Sequence, residues 1–128
     1  MARKRKILID FDGVIHGYES GWKGVAVCTD PPVPGVAAAI RKIRESHEAY
    51  VFSTRCCGDT PEESAEGIAA IEHYLKLHGI EVDGVVDKKI PASLSIDDRG
   101  YRFNGDWAEV LEFLESPDAF NPWNKKGR

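Results

Sequence analysis

Short apolar runs alternate with amphipathic stretches along this chain, and several of the runs stop at a polar residue. Continuous apolar runs of this length, flanked by turn-forming residues, are typical of strands that are buried on both faces of a parallel sheet. The pattern predicts strands over residues 6–11, 49–53, 82–87 and 92–97.

The segments between these strands carry the periodicity of amphipathic helices. The clearest helix is predicted between Thr60, which begins a capping-box pattern followed by Pro61 in the first turn, and Gly79, which suits the end of a helix. Apolar residues also recur on one face over residues 34–44 and 106–115, which predicts two further helices.

The alternation of strands and helices predicts an α/β fold with a parallel sheet. A chain of 128 residues fits one domain with its own core, so we expect a single domain over residues 1–128. Residues 13–34, rich in glycine and proline, are expected to form a loop, called the flap below, with a short hairpin strand over residues 24–28.

Polar side chains stand where the predicted strands end, at Asp10, Ser53, Asp87 and Asp97. Ligands of parallel α/β sheets bind at the carboxyl ends of the strands, so residues distant in sequence should meet at one edge. Carboxylates, a hydroxyl and a lysine gathered there would suit Mg²⁺ and a phosphate, because Mg²⁺ prefers oxygen ligands and neutralises clustered acids. The candidate group is Asp10, Asp12, Ser53, Lys88 or Lys89, Asp97 and Asp98.

Two aspartates separated by one residue can take different roles in phosphoryl transfer. Asp10, at the strand end, would attack phosphorus and form an aspartyl-phosphate. Asp12 would protonate the leaving oxygen and then activate water. Ser53 would hydrogen-bond a phosphoryl oxygen, and Lys88 or Lys89 would stabilise the charge on the phosphate.

Three stretches carry a resemblance to a known family. "ILIDFDGVI" resembles the first motif of the haloacid dehalogenase (HAD) superfamily, and "VFSTR" resembles the second, an apolar strand closed by Ser or Thr. "KIPASLSIDDR" resembles the joined third and fourth motifs, a lysine before a strand closed by paired aspartates. The motifs stand in the order of the family between Ile7 and Arg99, and they span most of the chain.

The resemblance implies roles for individual residues. Asp10 would be the nucleophile, Asp12 the general acid and base, and Ser53 the phosphate ligand. The family pattern favours Lys89 over Lys88 as the catalytic lysine.

The same resemblance implies a ligand set for Mg²⁺. It comprises the side chain of Asp10, the main-chain carbonyl of Asp12 and the pair Asp97 and Asp98. The "STR" segment is also similar to the polynucleotide 3'-phosphatase branch of the family, which adds Thr54 and Arg55 to Ser53 as expected substrate contacts.

The family implies a three-layer Rossmann-like core with a parallel sheet. Members usually insert a cap domain after the first or second motif, but the flap is too short for one, so we expect a capless protein. An open site would suit a phosphorylated small molecule or a nucleic-acid end, and a neighbouring copy in a homo-oligomer could cover a small substrate.

Composition narrows the remaining classes of function. The formal net charge of −4 argues against a protein that binds nucleic acid with its whole surface. The three cysteines lack metal-type spacing, which indicates free thiols in a reducing compartment. No apolar run approaches the roughly 20 residues that span a membrane. We therefore expect a cytoplasmic phosphatase without a membrane partner.

Two other functions fit parts of this pattern. A non-catalytic module could bind phosphate or metal on the same fold, although the presence of both Asp10 and Asp12 counts against it. A receiver-like phosphoacceptor domain also uses clustered aspartates, a hydroxyl and a lysine. In receivers the acidic pair comes first and the lysine last, whereas here Asp97 and Asp98 follow the lysine.

Overall fold

A computed structural model describes residues 4–117 and 119–121 of the chain. Four strands and three α-helices lie within this part, with a short 3₁₀ turn, Thr54–Cys56, after the second strand. In chain order the elements are β1 (Arg5–Ile9), α1 (Val36–Arg44), β2 (His47–Phe52), α2 (Pro61–Leu77), β3 (Gly84–Val86), β4 (Leu94–Ile96) and α3 (Trp107–Glu115).

The strands form one sheet in the order β3-β2-β1-β4, and every pair is parallel. β1 lies between β2 and β4, and its residues Ile7, Leu8 and Ile9 are all buried. Such a continuous apolar run suits a strand that is covered on both faces. Its register aligns Ile9 with Val51 of β2 and with Ile96 of β4. The predicted α/β fold with a parallel sheet is confirmed.

Helix α2 begins and ends as the sequence predicts. The Thr60 side chain accepts a hydrogen bond from the Glu63 amide at 3.1 Å, Pro61 occupies the first turn, and Gly79 has a φ of +68° just beyond the helix. One face of the helix, which includes Ile71, is buried in the core.

The flap differs from its prediction. No strand forms over residues 24–28, and the hairpin prediction is wrong, because Gly24 with a φ of +116° places the chain outside the extended region just before a turn. The flap instead folds back on itself through main-chain hydrogen bonds from Gly17 to Pro31 and from Val33 to Ile15.

The flap needs a residue without a side chain at Gly17. A β-carbon there would lie 2.7 Å from the Pro31 carbonyl oxygen, closer than real contacts allow. The two ends of the flap therefore approach each other as closely as bare backbone permits.

The chain divides into two compact units, with the boundary between Asp97 and Asp98. The first contains the whole sheet, α1 and α2, and the second contains α3. Within the second unit, Asp106 caps α3 by accepting a hydrogen bond from the Ala108 amide at 2.9 Å. The expectation of a single domain over residues 1–128 stays a prediction. No helix in the described part of the chain has the length and apolar character required to cross a membrane.

Candidate active site

Acidic side chains meet where β1 and β4 end. The two strands are neighbours, and the Asp10 amide donates a hydrogen bond of 2.9 Å to the Ile96 carbonyl, which aligns Asp10 with Asp97. One carboxylate oxygen from each of Asp10, Asp97 and the following residue, Asp98, lies within 4.8 Å of the others. We call these three residues the strand-end cluster. The prediction that the first and fourth strands bring their aspartates together agrees with this geometry.

The strand-end cluster has a donor set that fits a hard divalent cation. Oxygen atoms that share one Mg²⁺ at roughly 2.1 Å lie at most about 4.2 Å apart, so small side-chain rotations would suffice here. Asp97 is exposed while Asp10 and Asp98 are partly buried, so one side of the cluster opens to solvent. Carboxylate oxygens alone do not select Mg²⁺ from other hard cations.

Asp12 lies in a different environment, and its carboxylate is bound from both sides. Arg55 donates to it twice, from Nε to Oδ2 at 2.8 Å and from Nη2 to Oδ1 at 3.1 Å. His16 Nδ1 lies 2.9 Å from Oδ1. We call Asp12, His16 and Arg55 the buried network.

The hydrogen bonds and charges around Asp12 keep its carboxyl group ionised. Burial alone would raise the pKa of the Asp12 carboxyl, but the hydrogen bonds from His16 and Arg55, together with the charge of Arg55, outweigh it and lower the pKa. Asp12 is therefore held as a carboxylate, which suits a base better than an acid.

The orientation of His16 follows from its second ring nitrogen. Nε2 accepts a hydrogen bond of 3.1 Å from the Asp30 amide, so in the neutral ring the proton is on Nδ1, which donates to Asp12. The ring is 2 % exposed and stacks on Phe11 with 5.4 Å between centroids. Packing and hydrogen bonding thus fix both the plane and the tautomer of His16.

Arg55 is fully buried, and it joins Asp12 to the flap. While Nε and Nη2 bind Asp12, Nη1 donates to the carbonyl oxygens of Gly24 and Val25, both at 2.9 Å. Its guanidinium carbon also lies 4.8 Å from the centre of the Trp22 ring, a cation–π contact. The contacts use four of the five guanidinium N–H donors within the protein. The predicted substrate contact of Arg55 stays a prediction that would require the side chain to leave these partners.

Ser53 lies at the end of β2, on the same sheet edge as Asp10. It is 2 % exposed, and its hydroxyl oxygen accepts a hydrogen bond of 3.2 Å from the Arg55 amide. The hydroxyl can still donate one hydrogen bond, which is what a phosphate ligand needs. Thr54, the next residue, is exposed in the 3₁₀ turn.

Lys88 and Lys89 follow β3, and both residues are exposed. Since β3 is bonded to β2, they leave the sheet on the side of Ser53. The choice of Lys89 over Lys88 as the catalytic lysine stays a prediction.

Sequence reasoning missed the buried network as a unit. It treated Arg55 only as a substrate contact, and it placed His16 in the flap near the site, with a substrate contact as the less favoured alternative. The one available signal was the spacing of His16 four residues after Asp12 in "DFDGVIH". That spacing carries no meaning until the chain is known to turn back on itself between the two residues, as the bridge between Asp12 and His16 shows.

Comparisons with known proteins give no relative. No protein-family model, curated protein or solved structure matches the chain.

Proposed function

We propose that the chain is a Mg²⁺-dependent phosphohydrolase of the HAD type that acts through an aspartyl-phosphate on Asp10. The observation that supports this most is the strand-end cluster, in which Asp10 and Asp97 lie within 4.8 Å although 87 positions (97 − 10) separate them in sequence. A turn that happens to contain aspartates would not gather acids from two separate strands at one sheet edge.

In the first half of the proposed reaction, an oxygen of Asp10 attacks phosphorus and the bond to the leaving oxygen breaks. The leaving oxygen would take a proton from Asp12 in its protonated form, which is the minor form because the pKa of Asp12 is lowered. The Ser53 hydroxyl and a lysine, Lys89 in our assignment, would hold phosphoryl oxygens. When bound by the strand-end cluster and the Asp12 carbonyl, Mg²⁺ would neutralise charge as an anionic phosphate meets an anionic nucleophile.

In the second half, water attacks phosphorus and returns the Asp10 carboxylate. One proton of the water passes to Asp12, which acts as the base. The lowered pKa of Asp12 works against its acid role in the first half and favours this base role. We therefore expect leaving groups of low basicity to be preferred, because they depart with little help from an acid.

The proposal includes the finer features that the resemblance implies. The core would be the three-layer Rossmann-like arrangement of the family, with the flap in place of a cap. Substrates would be phosphate monoesters of small molecules or nucleic-acid ends, handled by a cytoplasmic protein with Ser53 and Thr54 near the phosphate, while Arg55 would stay bound to Asp12 and the flap.

A direct assay tests the proposal. p-Nitrophenyl phosphate should be hydrolysed with Mg²⁺ and not with EDTA, and Asp10→Asn should abolish turnover while the circular dichroism spectrum stays unchanged. Asp87→Asn is a matched control, since Asp87 also follows a strand but is not part of the strand-end cluster. Turnover retained in Asp10→Asn would remove Asp10 as the nucleophile. Bound Mg²⁺ without turnover of any phosphate ester would favour the binding module.

A further inference from the structure

The carboxylate of Asp12 has one open position for a proton. A carboxylate offers about four lone-pair sites, two on each oxygen. On Oδ1 both are taken, by His16 Nδ1 and Arg55 Nη2, and on Oδ2 one is taken by Arg55 Nε. Among the described residues, the remaining site is on Oδ2, and the Asp12 side chain keeps 16 % of its surface exposed.

His16 occupies the second site on Oδ1, and Arg55 fixes the plane in which the open site of Oδ2 lies. Its planar fork engages both carboxylate oxygens at once, which fixes the plane of the carboxylate and not only its distance. Nη1 of the same guanidinium binds the Gly24 and Val25 carbonyls, and the guanidinium carbon lies 4.8 Å from the centre of the Trp22 ring. The position of the flap and the orientation of Asp12 therefore depend on one side chain.

A fully buried arginine needs a reason beyond stability. Ion pairs taken out of water contribute little net stability, because desolvation offsets most of the attraction. Such pairs are better supported as a means of fixing one side-chain conformation among several. Here the side chain whose conformation is fixed is Asp12, to which the proposed reaction assigns proton transfer.

We propose that Arg55 is a positioning residue that couples the flap to Asp12 and holds the carboxylate plane so that Oδ2 can take the proton of the attacking water. The inference rests on the proposed function. In the step concerned, the water oxygen bonds to phosphorus and the bond between phosphorus and the Asp10 oxygen breaks. The electron pair of that bond returns to the Asp10 carboxylate, and one water proton moves to Oδ2 of Asp12.

Arg55→Lys separates this role from a structural one. Lysine keeps the charge but has no planar fork, so it cannot hold both oxygens of Asp12 and both flap carbonyls. In rapid-quench experiments with p-nitrophenyl phosphate, whose leaving group needs no acid, release of p-nitrophenolate in the first turnover should stay within about threefold of wild type. Decay of the phosphorylated enzyme after a chase should slow by about 10–100-fold, part of the full effect of a general base.

Trp22→Ala tests the coupling through the flap. The variant removes the ring from the guanidinium and leaves every hydrogen bond to Asp12 available. It should slow decay of the phosphorylated enzyme by about 2–10-fold, in line with a cation–π contact of modest energy. Unchanged decay in Trp22→Ala alongside slow decay in Arg55→Lys would overturn the coupling of the flap to Asp12.

Two further variants show whether the effect acts through Asp12. In the double variant Asp12→Asn with Arg55→Lys, the phosphorylated enzyme should decay no more than about threefold slower than in Asp12→Asn alone. The reason is that substitutions of residues that act as a unit do not have additive effects. Arg44→Lys makes the same replacement in an ion pair with Asp83 and should leave both rates unchanged.

Failures of the two proposals can be told apart by the phosphorylated enzyme itself. If wild type never carries phosphate on Asp10, the proposed function fails. If wild type carries it but Arg55→Lys slows both rates equally, or slows neither, then Arg55 is not a positioning residue for the second half.

Discussion

The strand-end cluster and the buried network hold aspartates in opposite ways. In the strand-end cluster, carboxylates from Asp10 and Asp97 approach each other within 4.8 Å at an edge that opens to solvent. In the buried network, the Asp12 carboxylate accepts hydrogen bonds from His16 and Arg55, and Arg55 is fully buried. Clustered carboxylates favour a bound cation, whereas a paired buried charge becomes costly when its partner is lost. The first region should therefore matter for binding and the second for both folding and chemistry.

The largest expected effect on stability is that of Arg55→Met. The change removes the Arg55 hydrogen bonds from the partly buried Asp12 carboxylate, and breaking a buried pair in this way costs about 3–5 kcal/mol. Urea denaturation at neutral pH measures the loss. Arg44→Met is the matched control, since its guanidinium is partly exposed, and its loss of unfolding free energy should be much smaller. Equal losses of unfolding free energy in the two variants would show that burial does not increase the contribution of Arg55 to stability.

Gly67→Ala should come next, because it disturbs the backbone that supports Arg55. A β-carbon at position 67 would lie 1.8 Å from the Arg55 carbonyl oxygen, so α2 would have to move away from the 3₁₀ turn. Overpacking of this kind costs about 1–3 kcal/mol, to be measured as the loss of unfolding free energy in urea. Glu66→Ala introduces alanine at an exposed position of the same helix and should be close to neutral. A neutral Gly67→Ala would mean that the close approach of α2 to Arg55 does not exist in solution.

Asp83→Asn tests an acidic group outside both regions. Asp83 accepts hydrogen bonds from the Ala49 amide at 2.7 Å and from Arg44, and these outweigh burial and lower its pKa. The substitution should cost about 1–2 kcal/mol at pH 7, as expected for hydrogen bonds to a charged group.

The pH dependence of Asp83→Asn has a definite sign. A carboxyl whose pKa is lowered by folding contributes stability above its unfolded pKa of about 4, and this contribution is lost as the pH falls through the folded pKa. The difference in unfolding free energy between wild type and variant, measured by urea denaturation, should therefore become smaller below pH 4. A difference that is the same at pH 7 and pH 3 would exclude the ionised form of Asp83 as its source.

The smallest stability effect is expected for Asp97→Asn. Asp97 is exposed, and a substitution at such a position should change the unfolding free energy without metal by no more than about 0.5 kcal/mol. The rise in melting temperature on adding Mg²⁺ should disappear, because a ligand stabilises only the state that binds it. Asp87→Asn should keep the rise. A rise that persists in Asp97→Asn would move the metal site away from the strand-end cluster.

The two regions also differ in how far the sequence alone reveals them. The strand-end cluster follows from a rule of topology, since polar residues after parallel strands must share an edge once the strand order is known. The ends of α2 near Thr60 and Gly79 could also be predicted, because helix capping depends on residues that are close in sequence. Asp12, His16 and Arg55 meet only because the flap folds into an irregular shape that no periodic pattern encodes. The failed strand over residues 24–28 has the same cause, since alternation in the sequence could not show the positive φ of Gly24.

The bond from Tyr74 to the flap has a consequence for the order of folding. The Tyr74 hydroxyl donates to the Asp30 carbonyl at 2.8 Å, and Arg55 binds Gly24 and Val25, so the flap is secured by residues that follow it in the chain. During synthesis on the ribosome the flap emerges before any of these anchors exist. We expect it to order late, after α2 has formed, with the Gly17 amide gaining protection from hydrogen exchange after the amides of β1 and β2 in refolding experiments.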